Sequence, residues 1–125
     1  MENRAFNLDS FLSGGLSSRV AVYVPMIPGS GDRASDSIAA LLSDLFGGAT
    51  SENVRGYWVS RDGGGLMVDK IRRVWAACSA DSLSDSLPVV VAAAADLAGL
   101  LHQEAITVEV DGVLRFVDAR GVLID

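Results

Sequence analysis

Six side chains in the middle of the sequence carry its strongest chemical signal: Tyr57, Trp58, Arg61, Lys70, Arg72 and Arg73. Aromatic faces stack on planar ligands, and guanidinium groups meet phosphate or carboxylate through two parallel hydrogen bonds. Their clustering predicts a ligand-binding hairpin suited to a small anionic molecule of nucleotide type. The competing reading makes Trp58 and Trp75 core residues and the charges a solvated face.

Reactive groups are otherwise scarce. A hydrolase or transferase needs a nucleophile with a base, paired carboxylates or metal ligands, and the chain offers one histidine, one cysteine and scattered acids. His102 falls at the end of an apolar helical pattern, where the helix dipole favours a protonated imidazole. Only Glu104 lies near it in sequence, too few ligands for a metal. Cys78 follows Val74, Trp75, Ala76 and Ala77 and reads as a small buried thiol. Gly29, Ser30 and Gly31 stand where amides at a helix start can hold an anion. That pattern lacks the lysine and glycine spacing of a phosphate-binding loop, and Asp32 and Asp36 oppose a phosphate there. No catalytic residue, metal or cofactor is therefore expected.

Charge divides the chain. The net value is −6, which argues against non-specific binding to duplex nucleic acid. Between Arg55 and Arg73 five bases face two acids, whereas the remainder holds five bases against fourteen acids, so a basic middle sits in an acidic protein. A length of 125 residues, half of them hydrophobic, suits one core. No unbroken apolar run approaches the roughly 20 residues of a membrane span, and the start lacks a basic head followed by an apolar stretch. A cytoplasmic protein without membrane contact is expected.

The elements that must hold these residues follow from periodicity. Residues 1–18 predict an arm, with Phe6, Leu8, Phe11 and Leu12 ahead of Gly14 and Gly15, that packs on the domain or on a neighbouring subunit, or stays disordered. Residues 19–125 form the single domain. Arg19–Val24 is β-branched and ends at Pro25, a first strand. Ile38, Leu41, Leu42, Leu45 and Phe46 recur at helical spacing, with Ser35 as N-cap and Gly47 as the left-handed stop. Residues 54–61 and 67–78 flank Asp62–Gly65 as a long hairpin, whose imperfect alternation suggests a bulge or cover by another subunit. An alanine- and leucine-rich helix over about 84–103 must start near Ser84 to keep Pro88 in its first turn. Residues 106–110, Asp111–Gly112 and 113–117 predict a closing hairpin.

That order is α+β: a ferredoxin-like βαββαβ two-layer sandwich with an extra C-terminal hairpin strand. Right-handed crossovers place the first and third strands centrally and leave one sheet face open. Self-association, giving a homo-oligomer, is the expected cover.

At FGGAT (46–50), GYW (56–58) and QEAI (103–106), with YVP at the first strand, the chain resembles a loose family of small uncharacterised prokaryotic and phage proteins. The resemblance covers about residues 20–117, excludes the arm, and implies structural joins rather than an activity. Together these readings predict a non-catalytic, homo-oligomeric binder of a small anionic molecule, of the kind a phage protein uses to sequester an immune signal. The alternatives are an acidic interaction module or inhibitor acting on a host protein, and a small enzyme built on His102 and Glu104.

Overall fold

The computed structural model describes residues 5–124. It contains α1 (Leu8–Ser13), β1 (Ser18–Pro25), α2 (Gly31–Phe46), β2 (Thr50–Val59), β3 (Leu66–Cys78), α3 (Ala80–Leu100), β4 (Ile106–Val110), β5 (Val113–Val117) and β6 (Leu123–Ile124). The six strands make one antiparallel sheet in the order β2-β3-β1-β4-β5-β6, with β1 and β3 inside as the crossover rule requires. The fold is the expected ferredoxin-like α+β sandwich, with β5 and the two-residue β6 added at one edge.

Period-two alternation decides which side of the sheet is covered. Val20, Val22 and Val24 of β1 are fully buried, and they share their face with Val74 and Ala76 of β3 and Ile106 and Val108 of β4. Onto that face α2 brings Ile38 and Leu42, and α3 brings Leu83, Val90, Ala94, Leu97 and Ala98. Each of these larger aliphatics contributes roughly 1.5–3 kcal/mol by leaving water. Among the described residues no helix layer covers the other face of the sheet.

Both helices start earlier than the sequence reading placed them. Helix α2 begins at Gly31 after Ser30, and Ser35 lies within it, buried, its hydroxyl donating to the Asp32 carbonyl. Gly31 is required by crowding: a Cβ there would lie 2.7 Å from the Met26 Cα. The helix ends as expected at Gly47, with φ of 90°. Helix α3 is capped by Ser79, whose side chain accepts from the Ser82 amide, so Pro88 stands inside the helix rather than in its first turn. Proline deprives the Ser84 carbonyl of its helical donor, and both residues are exposed, which leaves that carbonyl to water. Helix α3 is long and apolar enough, by length and composition alone, to cross a membrane. Here one side of it forms the core.

The hairpins match their turn chemistry. Asp111 and Gly112 take φ of 51° and 84°, the paired positive values of a type I′ turn. Pairing of β2 with β3 runs without interruption from Thr50 opposite Trp75 to Val59 opposite Leu66, so the imperfect alternation of this hairpin is not caused by a bulge. Its outer half extends past β1, which pairs with β3 only from Ile71 to Cys78, and residues there have neither core nor helix to face. The arm forms α1 over part of its described length, and residues 1–4 lie outside the described residues.

Leu42 is fully buried between helix and sheet. Leu42→Ala is expected to cost about 2–5 kcal/mol of unfolding free energy, measured as a lowered denaturant midpoint with an unchanged slope.

Candidate functional site on the open sheet face

The residues of β1 that alternate with its buried valines are Arg19, Ala21 and Tyr23, and they point to the uncovered face. Register sets their neighbours. Tyr23 lies opposite Arg73 of β3 on one side and Thr107 of β4 on the other, and Ala21 lies between Trp75 and Glu109. Across the next pair, Glu52 of β2 faces Arg73. Four polar side chains from four adjacent strands therefore meet on one face.

They form a closed network. The Tyr23 hydroxyl donates to Glu109 Oε1 at 2.6 Å. Arg73 donates from Nε to the Tyr23 hydroxyl oxygen at 3.2 Å, from Nη1 to Glu52 at 3.2 Å and from Nη2 to Glu109 Oε2 at 3.3 Å. The side chains of Arg73 and Glu109 are only 15% and 19% exposed although no helix lies above them. Trp75 flanks the cluster, with the Arg19 guanidinium 4.5 Å from its ring centroid and that of Arg73 at 5.9 Å.

This geometry sets the protonation states. The Tyr23 hydroxyl and then the Arg73 guanidinium hold the Glu109 carboxyl below the usual carboxylate range, against the opposing push of burial. Burial and the Glu109 carboxylate raise Tyr23 above its ordinary value, with Arg73 working in the other direction. Glu109 is thus fixed as an anion and Tyr23 as a neutral donor. Within the hydrogen-bonded network two carboxylates face one guanidinium, and the Arg19 guanidinium over Trp75 supplies a second positive charge beside it.

The six residues predicted from sequence do not form one site. Trp58 and Arg73 share the open face, but Trp58 pairs with Met67, six residues along β3 from Arg73 and so about 20 Å away. Trp58 instead donates from Nε1 to Asp69 at 3.0 Å. Tyr57, Lys70 and Arg72 lie on the helix side of the hairpin, and Arg61 is in its tip. Arg72 ties the hairpin to α2, donating to Asn53, Asp32 and Ser35 at 3.0, 3.0 and 2.9 Å. Sequence proximity misled because strand neighbours point to opposite faces.

The remaining candidates are structural. His102 lies beyond α3 with φ of 53°, and it and Glu104 are exposed. The amides of Ser30 and Gly31 both donate to the Ile27 carbonyl, closing a turn rather than facing an anion. Cys78 is buried, and burial followed by Asp111 pushes its thiol up, away from reactivity. Among the described residues no group of three or more potential metal ligands occurs.

Tyr23 and Glu109 were missed because each was read only within its own strand. The available signal was that RVAVYV and ITVEV each place a residue of the network at the phase opposite their valines.

No family model matches the chain, and no curated protein matches it. Solved structures do. A phage SAM lyase in complex with S-methyl-5'-thioadenosine superposes with a TM-score of 0.54 at 15% identity, over 90% of this chain and 88% of that one. The apo state of a phage SAM lyase gives the same TM-score and identity over 98% and 92%. This chain has the fold of those proteins. The expectation of a domain without catalytic machinery is overturned by this finding, and with it the sequestering binder of an anion and the acidic inhibitor: the solved structures sharing the fold belong to an enzyme, one of them holding a neutral thioether nucleoside.

Because the folded-state pKa of Glu109 is depressed, its stabilising contribution is present above the ordinary value of 4.5 and is lost as pH falls through the lowered value. Glu109→Gln should therefore flatten the acid side of the stability profile, read from urea midpoints across the acidic range. An unchanged acid slope in the variant would show that the network is not formed.

Proposed function

We propose that this chain is a lyase acting on an adenosyl sulfonium compound, S-adenosylmethionine or a close analogue, at the Tyr23–Glu109–Arg73 network. The observation that carries the reading is the charge and placement of that network: two carboxylates against one guanidinium, half-sheltered beside a tryptophan, on the open face of a sheet shared with phage SAM lyase. A sulfonium substrate is a cation, which the Glu109 and Glu52 carboxylates attract at short range. Trp75 offers a face for stacking adenine or for a cation–π contact with the sulfonium once the Arg19 guanidinium that lies over the ring moves aside. Arg73 is the group for the substrate's carboxylate, displacing Glu52, its more exposed partner.

The chemistry balances without water or a cofactor. Release of methylthioadenosine breaks the bond from sulfur to the amino-acid side-chain carbon, and the electron pair goes to sulfur. The four-carbon fragment either gives a proton from the adjacent carbon to the ionised Glu109 carboxylate or closes through its own carboxylate onto the carbon that sulfur leaves, which needs no base. In both cases the role of this chain is to hold the reacting carbon and its carboxylate in line, with Glu109 kept ionised and Tyr23 positioned as a hydrogen-bond donor.

A homo-oligomer belongs to this reading. Cavities of about 690 and 560 Å³ lie elsewhere, and a small-molecule site needs walls that a flat sheet face lacks. A second copy laid over the open face, where Leu114 and Phe116 are exposed beside the network, would provide them. A soluble ligand partner and a cytoplasmic location accord with such an enzyme.

Incubation of the purified protein with S-adenosylmethionine is expected to release methylthioadenosine, followed by liquid chromatography and mass spectrometry. Glu109→Gln and Tyr23→Phe should each lower the rate on the order of 10²-fold. Lys70→Gln, on the other side of the sheet, should leave it unchanged. A folded wild-type protein that yields no methylthioadenosine sinks the proposal, as does a Lys70 variant that loses activity while the Glu109 variant keeps it.

A further inference from the structure

Helix α1 poses a physical problem. It has six residues, about 9 Å of helix, and a segment so short is not stable in water on its own. None of its residues is buried, and among the described residues its hydrogen bonds stay within residues 7–14. Yet Leu8, Phe11 and Leu12 recur at the i, i+3, i+4 spacing of an apolar stripe and are 56%, 68% and 70% exposed. Such a stripe requires a partner surface that its own domain does not provide.

The domain has an unfilled surface of matching character. Strands β5 and β6 extend the sheet beyond the helix layer, so between α3 and β5 there is a trough of about 320 Å³, with Leu87, Val91, Val113 and Leu123 in its lining. Leu87 and Val91 also line a second groove of about 690 Å³ along the same flank of α3. Arg115 is the one charged residue that lines the first, the second holds Asp96 beside an Arg120 already paired with Asp118, and the only charged side chain in residues 5–17 is Asp9. Apolar stripe meets apolar trough, and Asp9 meets Arg115.

The segment that joins a molecule's α1 to β1 lies toward the sheet edge opposite its own trough. The segment leaves β1 with Leu16 set against Phe46, Gly48, Thr50 and Trp75, toward the β2 edge, whereas the trough lies at the opposite edge beyond β4. We infer that α1 of one copy docks in the α3–β5 trough of a second copy, an arm exchange that links protomers. This contact is separate from the open face and does not depend on the catalytic reading.

The test uses two full-length chains with different tags, one carrying Phe11→Cys and the other Val113→Cys, mixed and treated with a short bis-maleimide. Both positions are exposed and Cys78 is buried, so the fold and the background remain as in the wild type. The expected product joins the two tags, and its yield should fall at least several-fold when Leu12→Ser is added to the first chain or Arg115→Glu to the second. Absence of a cross-tag product from folded chains overturns the inference, as does an intrachain link formed at high dilution by a chain carrying both cysteines. A cross-tag yield unaffected by Leu12→Ser and Arg115→Glu overturns it too. Because no substrate enters the assay, its failure would leave the lyase reading standing, and the reverse holds as well.

Discussion

Strand β1 has to bury Val20, Val22 and Val24 against two helices while pairing on both edges with other strands. Much of the molecule follows from that. Burial of one phase of the strand commits the other phase, Arg19, Ala21 and Tyr23, to the uncovered side, and antiparallel register with β3 and β4 then sets Arg73, Trp75 and Glu109 around it. A one-residue slip would turn Tyr23 into the core and the valines into water. The polar network is thus held in place by apolar burial on the reverse of the same strands.

The network in turn explains how a sheet face without a helix layer supports partly buried charge. Arg73 reaches three oxygen acceptors, and the neighbouring aromatic rings of Tyr23 and Trp75 shield it. Glu109 accepts from both a phenol and a guanidinium. Hydrogen bonds to charged groups offset the cost of removing them from water, which an isolated side chain at the same depth could not do. The result is a pre-oriented carboxylate, phenol and guanidinium on rigid strands rather than on loops.

Elsewhere the basic hairpin, which stands out in the composition, divides by face. Arg72 bonds the hairpin to α2 and acts as a structural tie, and Arg73, its immediate neighbour, belongs to the open face. Two adjacent arginines have different roles because the side chains of consecutive strand residues emerge on opposite sides.

Much of the fold was legible in the sequence. β-Branched runs, helical spacing in residues 38–46, Gly47 and the Asp111–Gly112 pair are local signals, and local geometry decides strands, helix stops and tight turns. Helix starts were less legible: Ser35 resembles a cap, but burial against the sheet lets α2 extend back to Gly31, and exposure of Ser84 lets α3 pass through Pro88. The site was the least legible part. Tyr23, Glu52, Arg73 and Glu109 lie on four strands and up to 86 positions apart, so no spacing rule connects them, while the clustered Tyr57, Lys70 and Arg72 share the helix side of the hairpin and Trp58 points to the other. The sequence by itself determined which phase of each strand is apolar, because that depends on residue type alone. Only the tertiary structure decided which polar residues meet on the remaining face, because that depends on strand order and register, which long-range packing selects.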